Sequence, residues 1–188
     1  MRKAKSRNPY SPPAKKAAAA GKKKKRSGPL FHPVSLRKLG VMGPFTINIY
    51  LIYWFFQNWR YAQKKKGWIL PVVFAFFFPL TCYGIFEKVQ TRALKCKIPV
   101  GWSVVSLGLA CTTIQLLPLL LSAQGVPYTE LIKYLMVLPL LPVQKTINQL
   151  NAQERDVATD RFGLWSILFA VLGGLVMIGE ILWILLGE

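Results

Sequence analysis

The sequence predicts an all-α integral membrane protein of about five hydrophobic segments behind a disordered, basic N-terminal arm. Two observations carry this. Apolar runs of close to 20 residues alternate with short charged loops, the hydropathy pattern of membrane-spanning helices. Charge is also segregated along the chain: the first acidic residue is Glu87, and 17 of the 25 Lys and Arg precede it. A soluble domain of 188 residues has no room for so many buried helices of that length.

Residues 1–33 read as the arm. It holds Pro9, Pro12 and Pro13, an Ala run at 17–20 and the block Lys22-Lys23-Lys24-Lys25-Arg26, a composition too poor in apolar surface to offset chain entropy. Counted through Lys38, it carries 13 positive charges and no negative one. Three readings follow, in this order: a topogenic tail that keeps the N-terminus cytosolic, attachment to anionic lipid headgroups, and binding of an acidic partner or nucleic acid through charge. With Tyr10 as its one aromatic, the arm lacks a base-stacking platform.

Residues 34–188 form the polytopic domain. Segment 36–59 is interrupted at Gly40, Gly43 and Pro44, which predicts a short piece and a longer helix from about Thr46. Tyr50, Tyr53, Trp54, Trp59 and, after the loop, Trp68 suit the headgroup level. Segment 68–86 contains Pro71 and Pro79. Cations follow both segments: Arg60 and Lys64–Lys66 after the first, and Lys88, Arg92, Lys95 and Lys97 after the second. Three consecutive basic regions cannot all be cytosolic if each segment crosses once, so the first two segments stand open to a re-entrant or interfacial reading. Segment 99–121 is a strong span, and residues 122–130 hold no Lys or Arg and are expected outside. Segment 129–142 leads back to an amphipathic helix over 143–153, on which Val143, Ile147 and Leu150 oppose Gln144, Lys145, Asn148 and Gln149 at the cytosolic interface. Segment 163–187 closes the chain with its C-terminus outside, and Gly173, Gly174 and Gly179 permit close helix approach.

Several short stretches carry a family likeness. They are Asn8-Pro9-Tyr10-Ser11-Pro12-Pro13, Phe31-His32-Pro33-Val34-Ser35, Tyr50 with Tyr53-Trp54, Asn58-Trp59, and Leu141-Pro142-Val143-Gln144 with Ile147-Asn148. In these the chain resembles uncharacterised small bacterial inner-membrane proteins that open on Asn-Pro-Tyr-x-Pro-Pro and carry a Gly-Ile/Leu-Tyr-x-x-Tyr-Trp first segment. It departs from them in Asn48, where that pattern has glycine, and in its long Lys-rich arm. The resemblance implies a bacterial inner membrane and no particular activity.

An ionisable residue within a span costs about 2.5–3.5 kcal/mol near the bilayer centre, which makes it a functional candidate. Lys133 and Glu180 qualify, and with Gln115 they are expected to form one polar cluster in the outer half of the membrane. A structural ion pair, or Lys133 snorkelling alone, stands ahead of a proton relay, because Glu180 has no second carboxylate at its depth. His32 is the only histidine and has no second ligand at metal spacing. Glu154, Asp156 and Asp160 interleave with Arg155 and Arg161 and match no calcium loop. Cys82, Cys96 and Cys111 form no CxxC pair. No nucleophile–base pair, Gly-rich phosphate loop or HExxH is present, and nothing calls for a cofactor or metal. The expectation is a non-enzymatic inner-membrane scaffold, anchor or accessory subunit, as a homo- or hetero-oligomer or alone. The alternative is a small channel or transporter with a path lined by Lys133, Glu180 and Gln115.

Overall fold

The computed structural model describes residues 29–46, 48–63, 67–126, 129–153 and 164–186. Among the described residues the chain is all helical. Seven α-helices follow one another as α1 (Leu36–Phe45), α2 (Ile49–Ala62), α3 (Ile69–Phe76), α4 (Phe78–Lys95), α5 (Val104–Ala123), α6 (Leu140–Gln153) and α7 (Leu164–Leu186). A 3-10 helix (Thr129–Val137) stands between α5 and α6. Residues 1–28, with Lys22–Arg26, and the 154–163 loop, with Glu154, Asp156 and Asp160, lie outside the described residues.

The first predicted segment is two helices. Ser35 caps α1, its Oγ accepting from Lys38 N at 3.1 Å. Gly40, Gly43 and Pro44 lie inside α1, so the break falls after them. It comes at Thr46–Asn48, where Asn48 takes a left-handed backbone (φ 63°) that Asn tolerates better than a β-branched residue. Thr46 closes the break from both sides: its hydroxyl donates to Met42 O (2.6 Å) and accepts from Tyr50 N (3.0 Å). At about 1.5 Å per residue α1 and α2 are roughly 15 and 21 Å long, short of a hydrocarbon core of about 30 Å.

The second predicted segment also breaks. Axes of α3 and α4 meet at 115°, more than a right angle, so the chain turns back on itself at Phe77. Pro79 has no N–H to carry the hydrogen-bond ladder across, and the Thr81 hydroxyl donates over the turn to the carbonyls of Phe74 and Phe77. Ring contacts fix the depth of this turn. Phe74 packs on Trp59 (4.6 Å) and Phe78 stacks on Phe55 (5.1 Å), one turn earlier in α2. From there α4 runs back, bringing Lys88 Nζ to 5.9 Å from the Trp59 ring centre.

The predicted span 129–142 is not a continuous helix. The 3-10 helix of 9 residues ends at Val137, and α6 begins at Leu140 with Pro142 in its first turn, where a missing N–H costs nothing. Helix α6 divides its expected polar stripe, with Gln144 buried and Lys145 and Gln149 exposed. It packs on α1 and α4, and it buries Thr146 and Asn151 along with Val143, Ile147 and Leu150.

The core gathers Leu39, Leu51, Trp54, Phe55, Ile85, Phe86, Met136, Leu140, Ile147 and Leu150, all fully buried. Helix α7 crosses α1 closely. A Cβ on Gly173 would fall 2.0 Å from Phe45 O and one on Gly174 3.2 Å from Phe45 Cδ1, whereas Gly179 meets nothing. The outer surface is strongly apolar: Phe76 is 73% exposed, Leu119 67% and Leu175 61%. Among the described residues α5 is long and apolar enough to cross a membrane alone, and α3 with α4 qualifies only as one broken span. Helix α7 has 23 residues and includes the apolar stretch Ala170–Ile184.

Candidate functional site

Two polar clusters lie at opposite ends of α2. At its C-terminal end three fully buried carboxamides, from α2 and α6, hold the extended chain before α1. Asn151 Oδ1 accepts from Leu30 N (3.0 Å) and Phe31 N (3.3 Å), and its Nδ2 donates to Phe31 O (3.1 Å). Asn58 Oδ1 accepts from His32 N (3.1 Å) while its Nδ2 donates to Trp54 O (2.9 Å). Gln144 Nε2 donates to Val34 O (2.9 Å), His32 O (3.3 Å) and Asn148 Oδ1 (2.8 Å), and Gln144 Oε1 accepts from Trp54 Nε1 (2.6 Å). A strand neighbour would supply such bonds from its backbone; here the three carboxamides do so. Phe31 and Val34 are buried with them, so residues 30–33, which the sequence assigned to the arm, pack with the helices.

His32 lies half-buried in this cluster, edge-on to Tyr53 (5.7 Å between ring centres) and stacked near Tyr61 (6.4 Å). Burial, with the nearby Lys38 charge, pushes its pKa down to about 4, so it is neutral at pH 7.

The second cluster lies at the other end of α2. Asn48 Nδ2 donates to Lys133 O at 2.9 Å, tying the α1–α2 break to the 3-10 helix. Lys133 Nζ stands 3.2 Å from Glu180 Oε1, and the Tyr134 hydroxyl donates to Glu180 Oε2 at 2.7 Å. Both carboxylate oxygens are thereby engaged. The pair is partly shielded, with side chains 21% and 32% exposed. Gln115 Oε1 is buried on α5 without a hydrogen-bond partner among the described residues, so no bond through that oxygen joins it to the pair.

The aromatics expected at the headgroup level divide. Tyr50, Trp54 and Trp59 are buried in the core, which leaves Tyr53 and Trp68 on the surface. Cys82 and Cys111 are buried where α4 meets α5, beside a hydrogen bond from Thr112 Oγ1 to Pro79 O (2.8 Å). Among the described residues no three His, Cys, Asp or Glu gather closely enough to hold a metal. Sequence reasoning missed Asn58, Asn151 and Tyr134. For the two asparagines the signal was a polar side chain recurring on the apolar face of a helix, as Asn151 does with Ile147 and Leu150. No protein-family model, no curated protein and no solved structure matches this chain, so what it does has to be read from its own residues.

Proposed function

We propose that this is a multi-pass inner-membrane protein of a bacterium that acts as a scaffold or anchor, with its N-terminus cytosolic and its C-terminus outside. Helices α1–α2 and α3–α4 are two re-entrant elements, and α5, the 3-10 helix with α6, and α7 are the crossings. One observation carries this reading. Arg60, Lys88, Arg92 and Lys95 lie towards the same end as the anchored Leu30, while Lys133 and Glu180 lie at the other, and exposed apolar side chains fill the surface between. A soluble monomer rarely exposes apolar patches beyond a few hundred Å², whereas lipid covers them without cost. Cations gathered on one side then follow the positive-inside rule, with no loop in conflict.

On this topology the arm leaves the membrane on the cytosolic side with 11 Lys and Arg in residues 1–28. Its role is to bind anionic headgroups or an acidic cytosolic partner, at about 1 kcal/mol per cation near an anionic surface. The test uses the protein in neutral phosphatidylcholine vesicles mixed with vesicles containing phosphatidylglycerol. The full chain docks the two populations in a salt-sensitive way, and the chain without residues 1–28 does not. Docking that survives the deletion would contradict the anchor reading.

A further inference from the structure

The last turns of α4 carry a second cationic surface, distinct from the arm. Lys88, Arg92 and Lys95 follow at steps of four and three residues, hence on one helix face. Together with Glu87 and Thr91 they line an open cavity of about 300 Å³. Three cations face one carboxylate there, and among the described residues no ion pair joins Glu87 to any of them. Lys88 is held over the Trp59 ring, and the exposed Leu80 and Leu94 lie on the same helix. Gln153 Nε2 donates to Cys96 O at 3.5 Å, which sets the end of α6, and with it the anchored Leu30, beside the end of α4.

We propose that this face of α4 is a binding site for the phosphodiester headgroup of an anionic lipid. A guanidinium fork and two ammonium groups match the charge and oxygens of a phosphodiester, and the Thr91 hydroxyl adds a donor. Leu80 and Leu94 give the acyl chains an apolar surface beside it. The proposal rests on the membrane reading above, but binding can be measured in detergent, where topology plays no part. Arg92 and Lys95 also complement the carbonyl end of α4, and that competing structural role predicts a different result.

Native mass spectrometry of the full-length protein in detergent tests it, with phosphatidylglycerol and phosphatidylcholine of equal acyl chains as probes. Phosphatidylglycerol should be retained in preference, and Arg92→Gln with Lys95→Gln should cut its retention by about tenfold or more. Lys145→Gln, on an exposed position of α6, should leave retention within about twofold. Equal retention of the two lipids would overturn the proposal. So would an α4 variant that melts earlier but keeps its lipid preference, which is what a purely helix-capping role gives. Displacement of phosphatidylglycerol by millimolar inorganic phosphate, with no lipid preference left, would instead make this a free-phosphate site. Labelling of Gln63→Cys from outside intact cells would contradict the topology without touching this result.

Discussion

Gln144 joins three parts of the chain that are far apart in sequence: Trp54 on α2, the carbonyls of His32 and Val34, and Asn148 one turn along α6. Gln144→Ala strands those buried partners and should destabilise the fold by roughly 2–4 kcal/mol, while Lys145→Ala next to it should stay within about 0.5 kcal/mol. Thermal unfolding in detergent distinguishes the two. His32 gives the cluster a pH dependence of definite sign. Its folded pKa of about 4 lies below the ordinary value of 6.5, so between those limits the unfolded chain binds more protons. Stability should therefore be flat above pH 6.5, fall as pH drops towards 4, and level off below; in His32→Phe that loss should disappear from the melting profile. At Asn48 the left-handed backbone makes glycine the mildest replacement and valine a severe one. Helical periodicity did place Gln144 and Asn148 on one stripe of α6. Periodicity cannot say whether such a stripe meets water or the backbone of a distant segment, and here Gln144 meets the backbone while Lys145 and Gln149 stay exposed.

At the scale of elements, the prolines were legible in kind but not in consequence. Pro71, Pro79 and Pro142 each lie in the first turn of a helix, where proline starts an element rather than interrupting one. Pro71 and Pro79 were read within one segment, 68–86, which the structure divides into α3 and α4. The glycine pair of α7 was more readable, because small residues in an apolar helix signal close approach. Gly173→Ala places its Cβ against the backbone of Phe45, an atom that cannot swing aside, and should cost about 1–3 kcal/mol. Gly179→Ala, which meets nothing, should be neutral or slightly stabilising through helix propensity. The contrast between these two melting temperatures tests whether α7 packs on α1 as described.

For the whole molecule, the juxtaposition of Lys133 and Glu180 followed from counting depth along two apolar segments, whereas Tyr134 could not be foreseen because its hydroxyl is turned to Glu180 by the 3-10 helix. With both oxygens of Glu180 engaged, Glu180→Gln should lower stability, and adding Lys133→Met should partly restore it by removing the stranded charge. A channel would give the opposite pattern, with the fold intact and flux altered. The central claim, however, is that the first two apolar segments re-enter on the cytosolic side. It is tested most directly by cysteine accessibility in a chain with Cys82, Cys96 and Cys111 replaced. Gln63→Cys and Lys95→Cys should react with an impermeant thiol reagent only after the membrane is opened, and Ser122→Cys should react in intact cells. Labelling of Gln63→Cys from outside, with Lys95→Cys still protected, would mean five ordinary spans and would contradict the account.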